Sequence, residues 1–264
     1  MSSEEIKISV ITTVLNRGET LEKTIESVIK QKYKYYEYII IDGASDDNSL
    51  EIIKKYEKYV AFWVSEPDKG IYDAMNKGID ISNGDYICFL GADDQFYNES
   101  VLDEVVQFIK DTNMKVVCGK IMYVMDDYKV MKAVGQVWES DDIKKGCMYP
   151  HPGMFVESGI LKKYRFNIYL KIASDYELLL RLVCDGVQIS FCDKIITYFH
   201  ANGISSNNRA LAFEEKYRCI LQWCGRKYAE PFRKSYRRYL LKIYIRNFLL
   251  CIGVGRIFGY RRKE

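Results

Sequence analysis

Short apolar runs alternate with stretches of helical period through the first hundred residues. Ile8-Ser-Val-Ile-Thr-Thr-Val14 is β-branched and almost continuously apolar, which predicts a buried strand. Glu19 to Gln31 then carries Leu21, Ile25, Val28 and Ile29 at helical spacing. Tyr38-Ile-Ile-Ile41 predicts the next strand. Asp42-Gly-Ala-Ser-Asp-Asp47 follows as a turn, with Ser45 capping a helix that runs to about Tyr59. Ala61-Phe-Trp-Val64 predicts a third strand, and Ile71 to Ile81 a helix with Ile71, Met75 and Ile79 on one face. Tyr86-Ile-Cys-Phe-Leu90 predicts a fourth strand, ending at Gly91-Ala-Asp-Asp94. This alternation implies βαβ units and a mostly parallel central sheet flanked by helices.

The rhythm then loosens. Val101 to Ile109 predicts a helix, Val116-Val-Cys118 a strand, Met122 to Val134 a polar hairpin, and Glu139 to Lys145 a short helix. His151-Pro-Gly-Met-Phe-Val156 leads into a helical turn. Asp175 to Asp185 is strongly periodic through Leu178, Leu179, Leu182 and Val183, and Gly186 closes it. Ile189-Ser-Phe191 and Ile195 to Phe199 predict the final strands. Past Ser206 the chain turns helical and basic. With no repeat and no linker-like stretch, residues 1–205 are expected to form one domain and 206–264 an extension.

Composition sharpens this picture in three ways. A chain of 264 residues that is 48% hydrophobic with only 4 Pro can bury a large core, which excludes disordered and collagenous classes. The net charge of +3 conceals a division: from Arg226 onward twelve Lys/Arg face two Glu, while the remainder is acidic. The eight cysteines show no CxxC pair and sit among apolar neighbours, so free thiols in a reducing cytosol are expected. Met1 to Lys7 is too polar for a signal peptide.

Ligands of open α/β sheets sit beyond the carboxyl ends of the strands. Those ends are Thr13 to Asn16, Asp42, Ser65 to Gly70, and Asp93-Asp94. Neither a Gly-x-Gly-x-x-Gly turn nor a P-loop is present, so the dinucleotide and P-loop readings have no anchor. Carboxylates stand there instead, and they reach phosphate oxygens through a divalent cation, Mg²⁺ or Mn²⁺. Of four Asp-Asp pairs, Asp46-Asp47 and Asp141-Asp142 read as helix starts and Asp126-Asp127 as a turn. Asp93-Asp94 alone follows a wholly apolar strand, where charge has no packing reason.

The ordered blocks Ile8 to Asn16, Ser27 to Gln31, Ile39 to Asp46, Glu66 to Gly78 and Gly84 to Asp94 resemble the family 2 glycosyltransferases. The likeness continues through Pro152 to Val156, Ala173 to Arg181 and His200 to Ser205. It implies a GT-A fold and inverting transfer of a sugar from a nucleotide donor, with residues 1–97 as the nucleotide half and 98–205 as the acceptor half. By the same resemblance Asp93 lies near the ribose and Asp94 binds metal. Thr13, Asn16, Asp42, Asp68, Lys69 and Asn76 belong to the nucleotide-sugar side. Relatives often carry a second acid after Asp42 that contacts uracil. Gly43 stands there in this chain, so a uridine donor is favoured on the remaining blocks alone.

An inverting transfer needs a base to take the acceptor hydroxyl's proton. Asp175, opening Asp175-Tyr-Glu-Leu-Leu-Leu-Arg181, matches the family's acid, although Ser174-Asp175 also reads as a helix-capping pair. Glu177 reads as a solvated carboxylate. Arg181 either steadies a carboxylate on the acceptor side or faces solvent. His200 occupies the place of a third metal ligand in the resemblance, or is a turn residue. His151 falls on the acceptor side, or in a turn.

Between Phe232 and Ile252, Phe232, Tyr236, Leu240 and Ile243 oppose Lys234, Arg238, Lys242 and Arg246. That amphipathic helix suits an anionic membrane surface, or packing on the domain; nucleic acid is disfavoured for want of a recognition fold. The expected enzyme is metal-dependent. It would use a UDP-linked donor and a glycan or polyprenyl-diphosphate-linked acceptor at the inner face of the cytoplasmic membrane. Sugar-phosphate nucleotidyltransferases open with a Gly-rich loop, and phosphoreceiver domains need an acidic pair after the first strand; Val14-Leu-Asn-Arg-Gly18 and Thr12-Thr13 supply neither.

Overall fold

The computed structural model describes residues 5–125, 130–200 and 208–251. The Asp126-Asp127 turn, residues 201–205 and the chain after Cys251 lie outside them. Four parallel strands begin the fold: β1 (Ile8–Val14), β2 (Tyr36–Asp42), β3 (Phe62–Ser65) and β4 (Tyr86–Phe89), in the order β3-β2-β1-β4. Their register lines up Val14, Asp42 and Ser65 along one carboxyl edge. Because β1 is flanked by β2 on one side and β4 on the other, a crevice opens at its end, the topological switch point of such sheets.

Side chains alternate between two buried layers, as a sheet covered on both faces requires. Val10, Val14, Tyr38 and Ile40 pack with α1 (Leu21–Ile29) and α4 (Val101–Thr112). Ile11, Ile39 and Ile41 pack with α3 (Ile71–Ile81), α6 (Ser158–Tyr164) and α7 (Ser174–Cys184). The helix α2 (Ser49–Lys55) is shorter than its periodicity predicts, and a single 3₁₀ turn, Glu57–Tyr59, follows it.

The second half departs from the parallel pattern. Met154–Glu157, expected only to lead into a turn, is a strand, β8. It lies antiparallel between β4 and the long β6 (Val116–Met125). Beyond β6 runs β9 (Ser190–His200), parallel to it, and then the two-residue β5 (Gln95–Phe96), antiparallel to β9. The two predicted final strands are thus one strand, with a register irregularity opposite Lys120. The hairpin partner of β6 is β7 (Val130–Val134), and α5 (Ser140–Lys144) follows. One mixed nine-stranded sheet therefore spans both halves.

The basic extension forms α8 (Arg209–Cys224) and α9 (Arg226–Cys251). Cys219, Ile220 and Ala229 are buried in the same core layer as α7. Phe232 and Tyr236 of α9 stack on Phe213 of α8. Farther along, Tyr239, Leu240, Leu241, Tyr244 and Ile245 are exposed. No helix among the described residues is long and apolar enough to cross a membrane.

Candidate active site

At the carboxyl edge of β2, Asp42 is fully buried. Its carboxylate accepts the Ser45 N–H (3.0 Å), the Ser45 hydroxyl, and the Ser65 hydroxyl from β3 (2.6 Å). Two expectations change here. Ser45 does not cap α2, because its hydroxyl turns back to Asp42. Asp42 has no surface left for a nucleotide; it shapes the loops that bound the crevice. Asn16 joins this network from β1: its N–H donates to Ser45 Oγ (2.9 Å), and its Oδ1 accepts the Asp46 N–H (2.9 Å). Asn16 (φ 53°) and Ala44 (φ 61°) are both left-handed, an uncommon backbone for non-glycine residues that hydrogen-bonded loops can sustain.

Gly43 has a steric role. A Cβ built on it would lie 2.5 Å from Asp68 Oδ2, so the Asp68 carboxylate occupies the space where a side chain at 43 would begin. Asp68 is itself fixed by accepting the Gly70 N–H (2.7 Å). Lys69 is exposed beside it, and Thr13 is half-buried near the end of β1. Asn76 is different. Its side chain is buried in α3 and pairs in both directions with the Phe166 backbone, Nδ2 to the carbonyl and Oδ1 from the N–H, each 2.9 Å. Both amide groups are thereby committed, and Asn76 joins α3 to the loop before α7 instead of facing a nucleotide.

After β4 the chain turns at Gly91 and presents Asp93 and Asp94. A Cβ on Gly91 would lie 2.7 Å from Asp94 Oδ2, so a side chain at 91 would displace the Asp94 carboxylate. Asp94 is only 3% exposed. Thr20 donates to the Ala92 carbonyl (2.9 Å) and Thr24 to that of Asp94 (2.7 Å), anchoring the acidic turn to α1 and the loop before it. The His200 N–H donates to Asp94 Oδ1 (3.2 Å), which brings the end of β9 to the same point. Burial, then the neighbouring Asp93 charge, push the Asp94 carboxyl well above the usual carboxylate range. Neither aspartate forms an ion pair with Lys or Arg among the described residues. A buried acid beside a second acid, without a cation, is the chemistry that a divalent ion satisfies. Among the described residues no three His, Cys, Asp or Glu cluster tightly enough to hold a metal by themselves. That suits an Mg²⁺-type ion, which commonly takes one or two carboxylates and completes its shell with water and substrate phosphates.

Asp175 opens α7 and lines a narrow cavity with His151, Phe89, Phe166, Met154 and Leu178. Phe89 connects it to the acidic turn: this last residue of β4 stacks on His151 at 5.5 Å and meets Phe166 edge-on at 5.4 Å. Burial pulls the His151 imidazole below its ordinary pKa, and the Asp175 charge opposes that shift. The capping alternative for Asp175 is not what α7 shows. The N-cap is Ala173, without a side-chain cap bond, and among the described residues Asp175 accepts just the adjacent Tyr176 N–H (2.7 Å). Arg181 lies farther along α7, bonded to Glu177 (2.9 Å) and to the carbonyls of Tyr164 and Arg165 (both 2.6 Å). With its donors engaged there it ties the end of α6 to α7. Glu177 is buried rather than solvated, and also accepts from Trp223 Nε1 of α8 (3.1 Å).

The family profile described as "Glycosyl transferase family 2" matches residues 9–172, which contain β1 to β8 and the acidic turn. The chain belongs to that family. Its similarity to the poly(ribitol-phosphate) β-N-acetylglucosaminyltransferase TarP of Staphylococcus aureus is 32% identity over 213 residues, 76% of this chain and 65% of TarP. It is 30% identical to an uncharacterized glycosyltransferase of Mycobacterium tuberculosis over 78% of this chain and 79% of that one. Among solved structures, S. aureus TarS 1–349 in complex with UDP-GlcNAc superposes with a TM-score of 0.63 at 20% identity, covering 81% of this chain and 64% of that one. The mannosyltransferase PcManGT of Pyrobaculum calidifontis, in complex with GDP-Man and Mn²⁺, gives 0.62 at 13%, covering 88% and 74%. The chain is therefore a family 2 glycosyltransferase with a GT-A fold, and its C-terminal helices extend past the matched region.

Three residues that shape this glycosyltransferase's candidate site were given no role by the sequence reading. Ser65 supports Asp42, and Tyr72 donates its hydroxyl to the Ile172 carbonyl (2.6 Å). Glu215 of α8 accepts three consecutive N–H groups just before Asp175. No local pattern distinguishes them: a Ser ending a strand, a Tyr on an apolar helix face and a Glu in a basic helix are all ordinary.

Proposed function

We infer that this glycosyltransferase inverts the anomeric centre as it transfers a sugar from a UDP-linked donor to a hydroxyl of a glycan or polyprenyl-diphosphate-linked glycan. The observation that carries this reading is the joining of two carboxylate sites through Phe89: Asp93-Asp94 after β4, and Asp175 across the His151 cavity. Thr13, Asn16, Asp68 and Lys69 bound the nucleotide, and Asp93 meets the ribose. Asp68 stands against Gly43 and supplies a carboxylate where relatives carry the second acid. Asp94 and His200 would hold Mg²⁺ or Mn²⁺, which supplies positive charge for the departing diphosphate. Asp175 accepts the proton of the attacking hydroxyl, and His151, held neutral by burial, lines the acceptor side. The names of TarP and of the UDP-GlcNAc complex of TarS support the choice of donor and of a bacterial surface polymer as acceptor.

In this proposal residues 1–97 handle the nucleotide, 98–205 the acceptor, and 206–264 keep the enzyme at the inner face of the cytoplasmic membrane. The test joins a panel of UDP-sugars to one substitution. One UDP-sugar should raise the melting temperature in an Mn²⁺-dependent way. Asp175→Asn should bind that donor normally, melt near wild type, and lose at least about a hundredfold in transfer rate, the low end of a general base's contribution. Wild-type transfer by this variant would remove Asp175 from catalysis.

A further inference from the structure

The backbone that delivers Asp175 is clamped from two sides by groups outside α7. On one side the Tyr72 hydroxyl of α3 donates to the Ile172 carbonyl (2.6 Å). On the other, the carboxylate of Glu215, only 6% exposed, accepts the N–H groups of Lys171 (2.8 Å), Ile172 (2.9 Å) and Ala173 (2.9 Å). Oε1 takes the first, and Oε2 takes the other two. Ala173 is the N-cap of α7 and cannot cap the helix with its own side chain. A carboxylate from α8, forty residues later in sequence, thus takes the N–H groups of the N-cap and of the two residues before it, beside the acids Asp175 and Glu177 of the helix's own first turn. Lys216, next to it, places its ammonium 4.7 Å above the Tyr176 ring in the first turn of α7.

We propose that Glu215 is a positioning residue for Asp175, so that α8 acts in the transfer step although it lies outside the family match. The argument rests on Asp175 being the base. Three consecutive amides that converge on one carboxylate form a rigid nest, and charge-assisted bonds of this kind are about twice as strong as neutral ones. Asp175 follows that nest by two residues and makes no long-range hydrogen bond of its own among the described residues, so its direction is inherited from the backbone that Glu215 holds. General-base catalysis requires the carboxylate within hydrogen-bond reach of the hydroxyl proton, and a shift of about 1 Å can cost about a hundredfold.

The test is a double-mutant cycle between Glu215→Gln and Asp175→Asn, read by transfer kcat, donor KM and UDP affinity by calorimetry. The isosteric amide keeps one acceptor oxygen and turns an NH₂ toward an N–H it cannot accept. E215Q should lower transfer kcat about ten- to a hundredfold while donor KM and UDP affinity stay within twofold. The double variant should be no slower than D175N alone, since a misaimed base and an absent base remove the same step. If E215Q does not fold, E215D, whose shorter reach loses part of the nest, takes its place in the cycle.

Wild-type kcat in the Glu215 variant overturns the proposal. So does a loss that adds fully to that of D175N, or one shared equally by kcat and UDP affinity; each marks Glu215 as an anchor for α8 and nothing more. Wild-type transfer by D175N is a separate failure, because it removes the base on which the proposal stands.

Discussion

Asp94 and His151 show how the same physical cause, burial, poses different demands on an acid and a base. Asp94 is desolvated beside Asp93, which favours its neutral form until a cation arrives. Asp94→Asn keeps the shape and an oxygen for the His200 N–H but removes the charge. It should leave the fold intact and abolish the Mn²⁺-dependence of UDP binding; undiminished Mn²⁺-dependent turnover would take Asp94 out of the site. Burial lowers the pKa of His151, so at acidic pH the unfolded chain binds a proton there that the folded chain refuses. Stability from this residue is therefore present above its unfolded pKa, near 6.5, and is lost as pH falls below it. His151→Phe preserves the ring contacts with Phe89 and Phe166. It should melt higher than wild type relative to neutral pH when both are compared at about pH 5.5, and an unchanged difference would show that His151 does not titrate on unfolding. At this scale the sequence marked Asp93-Asp94 because charge after an apolar strand had no packing reason, and Asp175 only through its resemblance to the family's acid. It misread Asn76 and Glu177 because a buried, bonded polar side chain and an exposed one are written with the same letter, whereas Arg181 does steady a carboxylate, that of Glu177.

Among the elements, α9 has two different halves. Phe232 and Tyr236 stack on Phe213, with ring centroids 4.9 and 3.5 Å apart, whereas Leu240, Leu241, Tyr244 and Ile245 face outward. An apolar strip next to Lys234, Arg238 and Lys242 is the composition of an interfacial helix. Truncation after Arg238 keeps the stacked half. It should preserve the melting temperature and transfer to a soluble acceptor, and remove binding to phosphatidylglycerol vesicles in a flotation assay. Vesicle binding equal to the full chain's would assign the strip another role. Helix α3 was legible at both ends because its apolar spacing spans three turns. The strands β8 and β5 were not: two residues of β5 carry no period, and β8 lies outside the strand–helix alternation that marked the equally short β3 and β4.

For the whole molecule, the amino-acid order by itself determined the first four strands and their parallel βαβ pattern, the acids at their carboxyl ends, and membership of a glycosyltransferase family. The strands follow from local alternation, which decides what is buried, the ligand's place from the strand ends, and the family from ordered blocks of sequence that resemble it. Only the tertiary structure decided that β8 inserts antiparallel beside β4 and that β9 carries His200 back to Asp94. It also decided that Phe89 joins the acidic turn to the Asp175 cavity, and that a glutamate of α8 holds the start of α7. Each of these rests on contacts between residues some forty to more than a hundred positions apart. A carboxylate acquires its task from the groups it meets after folding, and no local period records which amide, ring or cation that will be.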